Sequence, residues 1–138
     1  MKYLIDTNVL SELQRAGGSE RVRERLASLE ADSLFVSAIT VGELTRGVAL
    51  LRASKRKRAL VSWLSATESS FRDRVLAVDR DVAAVWGTLS ARLSKSGQTM
   101  GVADGLIAAT AMRHGLTLMT RNVKDFEASG VVLLNPWG

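Results

Sequence analysis

The stretch Lys2-Tyr3-Leu4-Ile5-Asp6-Thr7-Asn8 joins a short apolar run to a carboxylate at its carboxyl end. The run Lys2–Ile5 is brief and mainly apolar, which is typical of a strand covered on both faces of a sheet. A helical pattern follows it near residues 8–15. Because a buried strand followed by a helix is the repeating unit of α/β proteins, this stretch decides the predicted fold class.

The same alternation of strand and helix continues through the chain. The further apolar runs are Leu34–Val36, Val75–Val78, Leu116–Met119 and Val131–Leu134. The further helical patterns lie near residues 19–30, 39–51, 56–69, 80–96, 102–114 and 122–128. Alternation of this kind predicts a mainly parallel sheet of four to five strands joined by crossover helices.

Length and composition restrict the class of protein. The 138 residues are expected to form one domain spanning residues 1–138. The absence of cysteine excludes disulfides, thiolate nucleophiles and zinc–cysteine sites. No apolar run reaches the length of about 18 residues that a membrane-spanning helix needs. Asp6 falls where a signal peptide would need its apolar core, so we expect a cytoplasmic protein.

The net charge of +5 favours an anionic partner such as nucleic acid. The charge is unevenly distributed, because one dense basic block contains no acid. The block consists of Arg52, Lys55, Arg56, Lys57 and Arg58. It has two interpretations, a solvated helix face or a patch that contacts a nucleic-acid backbone.

Four carboxylates draw attention by where they fall. Asp6 and Asp125 follow predicted strands, whereas Glu43 and Asp104 fall at predicted helix starts. Each has a structural explanation when it is taken alone. Asp6-Thr7-Asn8 can start a helix, Asp104 suits a first helical turn, Thr40-x-x-Glu43 has the pattern of a capping box, and Asn122-x-x-Asp125 resembles one.

The joint placement of these acids favours a functional site. In an open parallel α/β sheet the carboxyl ends of the strands share one edge, where ligands bind. We therefore expect Asp6, Glu43 and Asp125 to meet there, whereas Asp104 has no strand directly before it. Carboxylates gathered in one cleft repel one another unless a cation neutralises them. A cluster of oxygen ligands without cysteine or histidine suits Mg²⁺ or Mn²⁺, which assist phosphodiester hydrolysis.

Other noticeable residues have structural interpretations. Asp79 and Asp81 fit the cap and first turn of the next helix. His114-Gly115 has the pattern of a helix end. The tryptophans are interpreted as core or interface packing because none is next to these acids in the sequence; they are Trp63, Trp86 and Trp137.

Read in order, four segments and the chain end resemble a PIN domain, specifically a VapC- or FitB-like toxin nuclease. The segments are Leu4–Glu12, Ser37–Leu44, Ala103–Ala111 and Thr120–Phe126. The ending Asn135-Pro136-Trp137 resembles the FitB-like branch in particular. The resemblance spans nearly the whole chain, and the order and separation of the segments make it specific.

The resemblance implies an α/β/α sandwich and Mg²⁺- or Mn²⁺-dependent cleavage of RNA by a homodimer. It implies Asp6, Glu43 and Asp104 as the principal metal-binding acids. Asp125 would contribute less directly, often through water, and Asn8 and Thr120 would be supporting polar residues. The family also implies inhibition by a co-encoded VapB- or FitA-like antitoxin that inserts a basic side chain among the acids. RNA-backbone contacts are expected from Arg121 and from the basic block.

Two other functions compete with a ribonuclease toxin. The chain could act chiefly within a toxin–antitoxin complex on operator DNA, with the antitoxin reading the bases, since the chain has no helix-turn-helix or zinc-finger signature. It could also be a phosphoryl-transfer or receiver domain. Aspartyl phosphatases normally carry Asp-x-Asp after the first strand, whereas this chain has Asp6-Thr7-Asn8. The phospho-accepting Asp and later Lys of a receiver have no counterpart that we can place.

Overall fold

The computed structural model describes residues 1–138 and contains one five-stranded parallel sheet. The strands are β1 (Tyr3–Ile5), β2 (Leu34–Ser37), β3 (Val75–Leu76), β4 (Thr117–Met119) and β5 (Leu133–Leu134). Their order across the sheet is β3-β2-β1-β4-β5, and every neighbouring pair is parallel. The central strand β1 therefore lies between β2 and β4, which brings the segments that follow these three strands together.

Seven helices connect the strands. They are α1 (Thr7–Gln14), α2 (Glu20–Ala27), α3 (Ala38–Ala49), α4 (Lys55–Phe71), α5 (Arg80–Lys95), α6 (Val102–His114) and α7 (Val123–Phe126). Each predicted helix and strand is present. None of the helices combines the length and apolar character needed to cross a membrane.

Two separate cores lie on the two faces of the sheet. Leu4 of β1 belongs to one core, together with side chains of α5 and α6, and the next residue, Ile5, belongs to the other, together with side chains of α1 and α2. Successive side chains of a strand point to opposite faces, so this split assigns the two helical layers directly. The predicted three-layer α/β/α sandwich is therefore confirmed.

The outer strands are shorter than predicted. β3 covers Val75–Leu76 rather than Val75–Val78, and β5 covers Leu133–Leu134 rather than Val131–Leu134. Both are edge strands that pair on one side only, so the sheet constrains fewer of their residues. After β3 the chain turns to Asp79, whose side chain accepts a hydrogen bond from the Val82 amide and caps α5 as predicted.

Candidate metal centre

Asp6 lies at the centre of the carboxyl edge of the sheet. It follows β1, and its backbone N–H donates to the Met119 carbonyl of β4 at 2.9 Å. The side chain is 4 % exposed. Its Oδ1 accepts the Thr7 amide at 2.8 Å, and its Oδ2 accepts the Thr120 hydroxyl at 2.8 Å. Asp6 is thus both the N-cap of α1 and the most buried acid of the candidate site, so the two interpretations of this residue are compatible.

Asn8 and Thr120 connect the ends of β1 and β4 around Asp6. The Asn8 amide nitrogen lies 3.3 Å from Asp6 Oδ2 and 3.4 Å from Thr120 Oγ1. The Asn8 carbonyl oxygen accepts the backbone N–H of Arg121 at 3.2 Å. Both residues that the resemblance implied as supporting therefore contact Asp6 directly.

Glu43 reaches the same site from α3. The Thr7 hydroxyl donates to Glu43 Oε1 at 2.7 Å and lies 3.1 Å from the Thr40 hydroxyl oxygen. Sequence reasoning gave no site role to Thr7 or Thr40. The available signal was that Thr7 follows Asp6 and that Thr40 lies one turn before Glu43.

The capping-box interpretation of Thr40 and Glu43 is wrong. Ser37 is the N-cap of α3, and its hydroxyl accepts the Ile39 amide at 3.0 Å. The helix begins earlier because β2 ends at Ser37 itself, so Thr40 lies within the first turn and Glu43 in the middle of the helix. Asn122 likewise makes no side-chain capping bond to α7. The Glu43 and Asp125 side chains therefore do not cap these helices and remain available to a ligand.

Asp104 and Asp125 line an open groove next to Asp6. Asp104 stands in the first turn of α6, and Asp125 stands on α7. The groove has a volume of about 500 Å³ and also includes Lys124 and the 98–101 loop between α5 and α6. Asp104 has no preceding strand, and it is the packing of α6 that brings it to this edge.

The electrostatics indicate that the four acids share one site. Burial raises the pKa of Asp6, and the charges of Glu43 and Asp125 raise it further, against hydrogen bonds from Thr120 and Thr7. Burial also raises the pKa of Asp104, with further contributions from Asp6, Glu43 and Asp125. The ion pairs of the structure involve other acids, namely Glu12, Glu20 and Asp81. The four acids therefore repel one another, and none of them forms an ion pair, although Lys124 lines the same groove as Asp104 and Asp125.

This donor set fits a hard divalent cation, although it is not a ready-made ligand cage. The side chains provide oxygen ligands of the kind that Mg²⁺ and Mn²⁺ prefer. No three Asp, Glu, His or Cys side chains are close enough in this structure to hold one ion together. The acids gather at one edge of the sheet, and their side chains would have to move closer together to hold one ion jointly.

The basic residues differ in whether their side chains already form hydrogen bonds within the protein. Arg121 is exposed at the edge of the site, next to Thr120. The basic block lies beyond the C-terminal end of α3 and in the first turn of α4. The Lys57 ammonium donates to the Ala49 and Leu51 carbonyls, so it stabilises the end of α3. This contact favours a structural role for Lys57 and leaves the exposed members of the block for a partner; these are Arg52, Lys55, Arg56 and Arg58.

Comparison with known proteins places this geometry in a family. The PIN-domain family model matches residues 3–129. The chain is 42% identical over 135 residues to Toxin FitB of Neisseria gonorrhoeae, covering 97% of both chains. It is 38% identical over 135 residues to VapC ribonuclease Y4jK of Sinorhizobium fredii, covering 97% of this chain and 96% of that one.

A solved structure of FitAB bound to an IR36 DNA fragment contains a chain that superposes with a TM-score of 0.93 at 39% identity, covering 99% of this chain and 96% of that one. The family match, the two relatives and this superposition agree with one another and span nearly all of the residues that form the sheet and its acidic edge. The chain therefore belongs to the PIN-domain family, among the relatives of the FitB and VapC toxins.

Proposed function

We propose that this chain is a divalent-metal-dependent endoribonuclease, the toxin of a toxin–antitoxin pair, acting as a single PIN domain over residues 1–138. The observation that carries the proposal is the set of four acids without cationic partners at the carboxyl edge of the sheet. Membership of a family whose relatives include a VapC ribonuclease supports cleavage of RNA. Action on cellular RNA would place the protein in the cytoplasm.

In this proposal Asp6, Glu43 and Asp104 are the principal ligands of Mg²⁺ or Mn²⁺, and Asp125 contributes less directly. When bound, the ion neutralises the phosphodiester and makes water a stronger nucleophile. The Asp125 carboxylate faces the same groove as Asp104, where it can accept a hydrogen bond from the attacking water. The resemblance gives Asp125 this same indirect role.

The neighbouring hydroxyl and amide groups orient the acids. Thr120 and Asn8 hold one oxygen of Asp6, while the Thr7 amide holds the other. The Thr7 hydroxyl fixes one oxygen of Glu43. Because these bonds restrict the side chains before an ion or substrate binds, less ordering remains to be done on binding.

The basic side chains are proposed to contact the RNA backbone. The backbone of Arg121 donates to Asn8, which contacts Asp6. The exposed members of the basic block lie beyond the end of α3, the helix that carries Glu43. The distance along α3 from Glu43 to the end of the helix is roughly 10 Å at 1.5 Å per residue. An RNA backbone that runs along α3 from the acids would reach the basic block.

A FitA- or VapB-like antitoxin is the proposed partner of a homodimer of this chain. An inserted basic side chain would neutralise the acids much as a cation does, which would inhibit cleavage. The similarity to FitAB bound to DNA supports a complex that contacts operator DNA through the antitoxin. Operator binding is thus the second candidate function, and it is compatible with cleavage by the free toxin.

A matched pair of aspartates tests the proposal. Asp6 and Asp79 are both N-caps whose side chains accept a backbone amide, but only Asp6 lies in the acidic site. Antitoxin-free wild type, Asp6→Asn and Asp79→Asn would each be incubated with total RNA in Mg²⁺, and new 5′ ends sequenced. We expect wild type and Asp79→Asn to cut at the same positions and Asp6→Asn to be inactive. Equal cleavage by Asp6→Asn would remove Asp6 from the mechanism.

A further inference from the structure

Arg121 and Trp137 meet at the edge of the acidic site. The guanidinium carbon of Arg121 lies 5.0 Å from the centre of the Trp137 ring. The sheet explains this proximity, because Met119 of β4 is paired in parallel register with Leu134 of β5. The segments that leave these two strands therefore run side by side, which places the chain end next to Arg121.

Trp137 is held in place by packing and by hydrogen bonds of the chain end. Its ring packs against the core on the α1 and α2 face of the sheet. Its backbone N–H donates to the Asn135 side-chain oxygen at 2.9 Å, and the Gly138 N–H donates to the Asn135 carbonyl at 3.3 Å. The interpretation of Trp137 as packing is therefore incomplete, since the face of its ring also contacts the Arg121 guanidinium.

The Arg121 guanidinium is held in place without using its N–H groups. Several exposed arginines likewise form no side-chain hydrogen bond, but Arg121 alone among them stacks on an aromatic ring. The guanidinium groups that do donate to protein oxygens belong to Arg15, Arg23, Arg74, Arg92 and Arg113. Arg121 forms a hydrogen bond only through its backbone N–H, to Asn8. The ring face attracts the cation but leaves the planar fork of donors available.

Arg74 shows what a purely structural arrangement of this kind looks like. Its guanidinium carbon lies 5.2 Å from the centre of the Phe71 ring, yet its N–H groups donate to three backbone carbonyls. The acid whose pKa responds to Arg121 is Glu12, and that carboxylate already accepts bonds from Arg15 and from the Ser19 amide. Arg121 is thus an oriented cation without a bound anion.

We infer that Trp137 is a positioning residue that holds Arg121 as a phosphate-binding site for the RNA backbone next to the carboxylates. The guanidinium fork matches the oxygens of a phosphate and forms charge-assisted hydrogen bonds with them. The bond from its backbone N–H to Asn8 and its position after Thr120 fix the backbone of Arg121 beside the two residues that hold Asp6, and the Trp137 ring is what orients the guanidinium. The inference rests on the proposed function and adds to it a role for the chain end.

The test measures RNA binding separately from cleavage. Binding of a fluorescein-labelled single-stranded RNA oligonucleotide would be measured by anisotropy in Mg²⁺ over a range of KCl, in the Asp6→Asn background. We expect Arg121→Met to weaken binding about tenfold and to reduce the slope of log Kd against log [KCl] by about 0.7, as one lost phosphate contact predicts. Trp137→Leu should weaken binding severalfold, and Trp137→Phe, which keeps a ring, should stay within about threefold of the parent.

Two further variants separate positioning from packing. Phe71→Leu removes the ring that lies under the Arg74 guanidinium, as the Trp137 ring lies under Arg121. It should leave RNA binding unchanged. In the Arg121→Met background, Trp137→Leu should have no further effect on binding, because the cation that it positions is gone. Thermal denaturation of each variant identifies any that are unfolded, and Arg121→Met changes an exposed side chain that the core does not need.

Several outcomes would overturn the inference while leaving the proposed function intact. Unchanged binding and salt slope for folded Arg121→Met would remove the phosphate site. An undiminished effect of Trp137→Leu in the Arg121→Met background would make Trp137 a packing residue only. In contrast, a wild-type protein that neither binds nor cleaves RNA would contradict the proposed function itself.

Discussion

The acids at the carboxyl edge of the sheet and the acids elsewhere in the molecule are satisfied in different ways. Glu12 accepts bonds from Arg15 and the Ser19 amide, and these contacts lower its pKa. Asp81 pairs with Arg113 at 3.2 Å. By contrast, burial and mutual repulsion raise the pKa of Asp6 and Asp104.

The difference shows what distinguishes a carboxylate of the candidate site from one with a purely structural role. A helix cap or an ion pair stabilises the charged form, whereas the acidic edge gathers negative charge that the protein leaves unneutralised. Asp6 shows that the two roles can overlap, because it caps α1 while its burial disfavours its charge. The unpaired charge, more than the capping position, indicates a site for a cation.

The largest expected effect comes from removing the charge of one of two aspartates that each stand in the first turn of a helix. Asp104 and Asp81 are both first-turn acids, of α6 and α5, but only Asp81 has an arginine partner. We expect Asp104→Asn to lower the rate of RNA cleavage by at least about 100-fold, through loss of a metal ligand. Asp81→Asn should keep the cleavage rate within about twofold of the wild-type rate, because an exposed ion pair contributes little to the stability of the fold. Similar rates for the two variants would abolish the distinction drawn above.

A smaller effect is expected when Mg²⁺ is added to the antitoxin-free protein at different pH values. At ten times its Kd, a bound ion should stabilise the folded state by about 1.4 kcal/mol, seen as a higher melting temperature. In the folded state the pKa values of Asp6 and Asp104 are raised above the ordinary aspartate value of 3.8. These groups therefore destabilise the metal-free protein increasingly as pH rises from 3.8 to their raised pKa values. The stabilisation by Mg²⁺ should therefore grow over the same pH range and be smallest at its acidic end.

The matched control for this measurement is Asp104→Asn, which should show a reduced response to Mg²⁺ at neutral pH. A melting temperature that rises equally at pH 4 and pH 7.5, or equally in both proteins, would mean that the ion acts elsewhere on the surface.

The smallest expected effect concerns a purely structural acid. Asp79→Ala removes the side chain that accepts the Val82 amide at 2.9 Å. It should lower the free energy of unfolding by about 1 kcal/mol, measured by urea denaturation, while Asp79→Ser should recover most of the loss. The cleavage rate per folded molecule should not change. A loss of cleavage in fully folded Asp79→Ala would extend the functional region beyond the acidic edge.

Local patterns were sufficient for the fold and for most of the residues that the structure gathers at the candidate site. Short apolar runs alternating with helical periodicity predicted the parallel sheet and its two helical layers. Asp6 after β1 and Asp125 after β4 were predictable because parallel strands end at a common edge. The lengths of the edge strands and the start of α3 were not, since they depend on pairing and capping partners that local composition does not specify.

The amino-acid sequence by itself determined the fold class, the absence of cysteine chemistry and the identity of four candidate acids. Only the tertiary structure decided that Asp104 approaches the others, that Thr7 orients Glu43 and that Lys57 supports the end of α3. It alone brought Trp137 beneath Arg121. The physical reason is that hydrogen bonds and charge interactions depend on distances between residues far apart in the chain, which helix packing and strand register set.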